Sequence, residues 1–286
     1  MKKILTLLLF LPLLAYSQTD FTIENGDVKL PGTLCDVGDK SAPVVVFVHG
    51  SGPNDRDETI GPNKFFKELA QKFMEKGISS LRYDKRTMLY KTGGDTITYK
   101  EETVDDAVKA VEQLKNSGYT HIFVAGHSLG GHCTPLIADA CGDKLNGVIV
   151  LSGNVGSLES CLKAQLEHLG QAQYLDAMLA KLPTKYLEFD RSYSPLTRVK
   201  ETNKKYPSLK WMVVGGGHDY QVTIADFTLW RMTLGNSATY FWGDKLDHIL
   251  RPLPEMAKPQ DYMVEGHVDD SAVEAMAKFI LDRTSR

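Results

Sequence analysis

The chain has 286 residues, 42% of them hydrophobic and 24% charged. That is enough for one large buried core, and it excludes mini-proteins, collagen-like chains and disorder. Lys and Arg number 33 against 36 Asp and Glu, for a formal net charge of −3, so neither a nucleic-acid nor an anionic-membrane partner is expected. Four cysteines are too few for a disulfide scaffold.

Lys2 and Lys3 precede the apolar stretch Ile4 to Leu14, and Ala15-Tyr16-Ser17 supplies small residues before Gln18. This pattern predicts a signal peptide over residues 1–17 and an exported mature chain, periplasmic or extracellular in a bacterium. The stretch is too short to be a membrane span, which needs about 20 apolar residues. Residues 18–286 are expected to form one domain. Phe21 to Leu34 alternates around Asn25-Gly26, which predicts an antiparallel hairpin at a sheet edge.

Six runs rich in β-branched residues follow: Val44–Val48, Ile78–Tyr83, His121–Ala125, Gly147–Leu151, Lys210–Val214 and Ala238–Trp242. Most are continuously apolar, as in a parallel sheet covered on both faces. Helical patterns lie between and after them, at Lys64–Lys76, Thr103–Asn116, Leu129–Ala140, Thr223–Thr233 and Asp270–Leu281. The fold class is therefore α/β, a doubly wound and mostly parallel sheet. One connection is too long for a plain crossover. Residues 154–207 are expected to be a cap insertion, with one or two helices over Ser160–Lys181 and an irregular return over Pro183–Pro207. Export would permit Cys35, Cys133, Cys141 and Cys161 to pair, but buried free thiols are the simpler expectation. Cys133 and Cys141, about 12 Å apart on one helix, cannot bridge to each other.

The chemistry sits in Gly126-His127-Ser128-Leu129-Gly130, a Gly-x-Ser-x-Gly between a strand and a helix. In a nucleophile elbow, Ser128 occupies a strained turn that projects its hydroxyl, and Gly126 and Gly130 leave room for crossing backbone. A serine hydroxyl needs a histidine to take its proton and a carboxylate to orient that histidine. Asp219 follows the strand Lys210–Val214 where the acid belongs, and His248 follows the last strand where the base belongs. His168 falls in the insertion, His218 abuts the acid, and His267 leads into the last helix. His49, His121, His127 and His132 read as structural. The oxyanion donors are expected to be the backbone N–H groups of Leu129 and Ser51. No His, Cys and carboxylate set has metal-site spacing, and no cofactor is expected.

His49-Gly50-Ser51-Gly52-Pro53-Asn54-Asp55-Arg56-Asp57-Glu58-Thr59-Ile60-Gly61, with Leu81-Arg82-Tyr83-Asp84-Lys85-Arg86, resembles the α/β-hydrolase superfamily. The likeness is to bacterial serine esterases related to dienelactone-hydrolase-like, acyl-thioesterase-like and serine-aminopeptidase-like members. It extends over about Phe21 to Ile280, through Asp219-Tyr220-Gln221-Val222-Thr223 and Leu246-Asp247-His248. It implies Ser128 as nucleophile, His248 as base and Asp219 as orienting acid, in agreement with the reading from the residues themselves. Thr87, where the family usually has Gly, and His218, before the acid, depart from its pattern.

The expected activity is hydrolysis of small carboxylic esters of short to medium acyl length, through an acyl-enzyme. Arg56, Arg86 and Tyr220 are the candidate substrate-binding residues, although Asp55, Arg56, Asp57 and Glu58 also suit a salt-bridged surface loop. The alternatives are an exported serine aminopeptidase, with Glu159, Glu167 or Glu188 gripping the amine, an acyl-thioesterase, and a catalytically silent binding protein. Export argues against an acyl-coenzyme A substrate.

Overall fold

The computed structural model describes residues 17–90 and 97–284. The predicted signal peptide lies outside the described residues except for Ser17. The hairpin forms as Asn25-Gly26 dictates: β1 (Ser17–Asn25) pairs antiparallel with β2 (Val28–Asp36), and Gly26 takes a positive φ of 62°.

The six apolar runs become β3 (Pro43–Val48), β6 (Ser79–Tyr83), β7 (His121–His127), β8 (Gly147–Leu151), β9 (Lys210–Gly216) and β10 (Ala238–Gly243). They join one eight-stranded sheet of order β1-β2-β6-β3-β7-β8-β9-β10, parallel from β6 to β10. A two-stranded ribbon, β4 (Thr59–Ile60) with β5 (Asn63–Lys64), stands apart.

The period-two geometry of the strands divides the core in two. Val44, Val46 and Val48 face one cluster with Val124, Val148, Val150 and Val213. That side is covered by α3 (Asp105–Asn116), α4 (Leu129–Cys141) and α9 (Ile224–Leu234). Val45 and Phe47 face the other cluster with Phe123, Ala125, Ile149 and Leu151, under α1 (Phe65–Met74) and α10 (Asp270–Leu281). Both faces are buried, which is why these strands carry no polar alternation. The short α2 (Arg86–Leu89) follows β6.

The insertion holds α5 (Leu158–His168), α6 (Leu175–Leu179), α7 (Thr184–Ser192) and α8 (Pro195–Lys205). The return expected to be irregular is thus helical. The Ser194 side chain caps α8 by accepting from Thr197 N–H, Pro195 starts the helix, and Val199 and Thr202 are buried. Trp230 Nε1 donates to the Gly153 carbonyl at 2.8 Å and Val155 N–H to Asp226 at 3.0 Å, which fixes the start of the insertion against α9. All four cysteines are free, and Cys133 and Cys141 both lie on α4. Among the described residues no helix is long and apolar enough to cross a membrane.

Candidate active site

Ser128 sits between β7 and α4 with φ 53° and ψ −117°, one of the few non-glycine residues at positive φ. That costs on the order of 1–3 kcal/mol and persists only where the surroundings enforce it. Here the Ser128 N–H donates to the Leu151 carbonyl at 2.9 Å and its carbonyl accepts from His132 N–H at 3.0 Å. A Cβ on Gly130 would run into the Val48 and His49 carbonyl oxygens, and one on Gly126 into the Gly130 carbonyl. The elbow glycines therefore carry the steric role their spacing implied. Leu129 opens α4, where a helix amide has no partner of its own.

Asp219 lies just beyond β9, and His248 beyond β10. Both are buried. His248 Nδ1 donates to Asp219 Oδ2 at 2.6 Å. Asp219 Oδ1 accepts from the N–H groups of Gln221, at 2.7 Å, and Val222, at 3.0 Å. The carboxylate is thereby locked in rotation, and the imidazole tautomer is set with its free lone pair on Nε2.

Ser128 and His248 line one cavity of about 400 Å³, together with Gly50, Ser51, Glu58, Ile60, His127, Tyr220, Gln221, Tyr262 and Met263. Leu158, Leu162 and Gln165 of α5 also line it, so the insertion forms part of its wall. Tyr220 stacks on His168 of α5, with ring centroids 5.3 Å apart.

Two of the expected substrate-binding residues are corrected. Arg56 and Arg86 are not among the lining residues. The Arg56 guanidinium closes on Asp84 (Nε 3.1 Å, Nη2 2.8 Å) and also reaches Thr33. Arg86 grips the buried Asp106 at 2.9 and 2.6 Å. Fork-to-carboxylate pairs of this kind commit the N–H groups along those guanidinium edges to Asp84 and Asp106. His218 Nδ1 donates to the Leu253 carbonyl at 2.9 Å, and His267 is exposed beside Glu68.

Four buried polar residues, Glu58, His127, His49 and Lys85, complete the surroundings. Glu58, expected on the surface, is buried at φ 49°. Its Oε1 accepts from Gly50 N–H at 2.7 Å and lies 3.0 Å from His127 Nδ1, as a charge contact rather than an aligned hydrogen bond. His127 Nε2 donates to the His248 carbonyl at 3.0 Å. Burial opposes the charge on both groups, but their mutual attraction prevails, holding the Glu58 carboxyl below its ordinary range and the His127 imidazole above its own. His49 is pushed down to about 4 by burial, which there outweighs the attraction of Glu58. Lys85 is also buried, with Nζ donating to the Gly50 carbonyl at 2.8 Å and lying 3.4 Å from Glu102. These pairs join residues from 8 to 121 positions apart, with no fixed spacing, so no motif announced them.

Fold and site together define an α/β-hydrolase of the serine type. Residues 39–219 match the family described as serine aminopeptidase, S33, and the chain belongs to that family. It is 34% identical over 291 residues to esterase EstD of Thermotoga maritima, covering 93% of this chain and 68% of that one. Among solved structures, the Pyrococcus furiosus esterase PF2001 superimposes with a TM-score of 0.68 at 15% identity, over 95% of this chain and 93% of the other. Est1E of Butyrivibrio proteoclasticus gives 0.64 at 17% identity, over 93% and 99%. At such identities these two likenesses speak for the fold.

Proposed function

We propose that the chain hydrolyses carboxylic esters through an acyl-enzyme on Ser128. The observation that carries this reading is the 2.6 Å Asp219–His248 hydrogen bond at the cavity where Ser128 is held in its strained turn. Ser128 Oγ attacks the ester carbonyl while His248 Nε2 takes its proton. The oxyanion meets the N–H groups of Ser51 and Leu129. His248 then protonates the departing alkoxide, leaving the acyl group on Ser128. Water, deprotonated by His248, attacks the acyl carbon, the acid leaves and the serine regains its proton.

The kinship with EstD supports an ester rather than an amide. An aminopeptidase would also need a free carboxylate in the cavity. Glu159 pairs with Arg191, Glu167 with Lys163, and neither they nor Glu188 lines it. Glu58, the carboxylate that lines the cavity among the described residues, is engaged by Gly50 and His127. Apolar walls from Ile60, Leu158, Leu162 and Met263 suit acyl chains of short to medium length. We propose further that the segment Lys2 to Ser17 is a signal peptide and that the mature chain, exported from the cytoplasm, begins at Gln18.

The test sets nitrophenyl acetate, butyrate and octanoate beside aminoacyl-nitroanilides, with fluorophosphonate labelling as the report on an activated serine. Turnover of the esters with labelling is expected. Turnover of the anilides alone would contradict it, as would a chain that neither turns over nor labels.

A further inference from the structure

The peptide between Gly50 and Ser51 has its two polar ends in different places. Its carbonyl belongs to Gly50 and its N–H to Ser51, and in a trans peptide the two point in opposite directions. No cis peptide occurs among the described residues. Whatever fixes the direction of the Gly50 carbonyl therefore fixes the direction of the Ser51 N–H.

The group on that carbonyl is an ammonium. Lys85, 1% exposed, donates from Nζ to Gly50 O at 2.8 Å. Asn54 Nδ2 approaches the same oxygen at 3.2 Å, and Lys85 N–H donates to the Asn54 carbonyl at 3.0 Å, so loop and strand end are stitched together. The preceding peptide is held as firmly, by Glu58 on Gly50 N–H at 2.7 Å. Burying a lysine is costly unless its charge is met. Glu102, 7% exposed, meets it at 3.4 Å, and Glu102 Oε1 in turn accepts from Tyr186 Oη of α7 at 3.1 Å. A continuous polar line thus runs from the cap insertion through Glu102 and Lys85 to the loop at the cavity.

We propose that Lys85 is a positioning residue of the oxyanion hole: its buried ammonium, held on the Gly50 carbonyl, aims the Ser51 N–H into the cavity and strengthens it as a donor. This rests on the acyl-enzyme reading above. A cation on a peptide oxygen draws electron density from the amide, and hydrogen bonds in series reinforce one another. The donor needs most help when negative charge appears on the substrate oxygen, so the effect belongs to the transition state and not to ground-state binding. The Tyr186–Glu102 contact makes the insertion part of the same device.

Lys85→Met alone would strand the charge of Glu102, so the test variant is Lys85→Met with Glu102→Gln. The readouts are kcat and KM on nitrophenyl butyrate and the inhibition constant of a trifluoromethyl ketone, whose adduct carries the oxyanion. A fall in kcat of about 10- to 100-fold is expected, below the 10²–10³-fold typical of deleting a donor outright. The ketone should weaken by the same factor, with KM unchanged within threefold. A folded double variant with unchanged kcat and ketone affinity would overturn the proposal. So would one in which KM rises while ketone affinity holds. If the double variant does not fold, Tyr186→Phe serves, with kcat expected to fall about two- to fivefold at constant KM, the size of one hydrogen bond. An unchanged kcat there overturns the proposal equally. Absence of wild-type turnover and labelling would instead remove the acyl-enzyme reading, and this proposal with it.

Discussion

Asp219→Asn gives the sharpest perturbation of the site, because the structure dictates how the asparagine must sit. Asp219 Oδ1 accepts two backbone N–H groups, from Gln221 and Val222. An asparagine turned the other way would set its NH2 against both, losing two buried hydrogen bonds at about 1–3 kcal/mol each. Its oxygen is therefore expected on the backbone side and its NH2 toward His248 Nδ1. That nitrogen would then have to accept, moving the imidazole proton to Nε2, where a base must be bare. A wrong-tautomer histidine costs on the order of 10⁴ in kcat, or about 5 kcal/mol in barrier. The assay is kcat for nitrophenyl butyrate at pH 7.5, with thermal unfolding to confirm an intact fold. A folded Asp219→Asn chain within tenfold of the wild type would refute the tautomer argument and the role given to Asp219.

Gly130→Ala drives a Cβ into the Val48 and His49 carbonyls, so stability should fall by about 1–3 kcal/mol and kcat/KM by about 10²-fold; wild-type kinetics would show that the elbow can give way. Burial holds His49 and His132 down to about 4 from an ordinary 6.5. Unfolding therefore takes up a proton at each as pH falls from about 6.5 towards 4. Stability is fully present above that window and drops by roughly 3 kcal/mol per histidine across it. His127, held above its ordinary value, acts in the opposite sense, losing its contribution as pH rises through its folded value. Urea midpoints at pH 7, 5.5 and 4.5 should decline steeply, and a flat series would contradict the buried neutral imidazoles. Leu162→Trp narrows the α5 wall of the cavity, so kcat/KM for octanoate should fall roughly tenfold relative to acetate; an unchanged ratio would place the acyl chain elsewhere.

The parts of this molecule written in local patterns were legible in its sequence. Val44 to Val48 reads as a strand buried on both faces because alternate residues face different clusters, and Asn25-Gly26 reads as a hairpin because glycine meets the positive φ there. The elbow was legible for a steric reason, since only glycine at 126 and 130 admits the crossing backbone. Asp219 and His248 could be chosen because each follows a strand end on the same edge of the sheet. Two helices in the return of the insertion were passed over, although Ser194-Pro195 is a cap followed by a helix-starting proline. The charged residues were the least legible. Arg56 and Arg86 were expected at the cavity but find Asp84 and Asp106, which only the packing of distant segments brings near. Glu58 sits in a charged run that suggests a wet loop, and its burial depends on Gly50 earlier in the same loop and on His127 at the end of β7. A charge in sequence does not say where its counter-charge lies.

The most direct test is to trap the acyl-enzyme. The protein is mixed with nitrophenyl acetate, quenched in acid within the first turnovers, digested and mapped by mass spectrometry beside Ser128→Ala. An acetyl group on the peptide carrying Ser128, with a matching burst of nitrophenol and neither in the variant, is the predicted result. Steady turnover with no acyl group on Ser128, or undiminished turnover by Ser128→Ala, would contradict the acyl-serine mechanism.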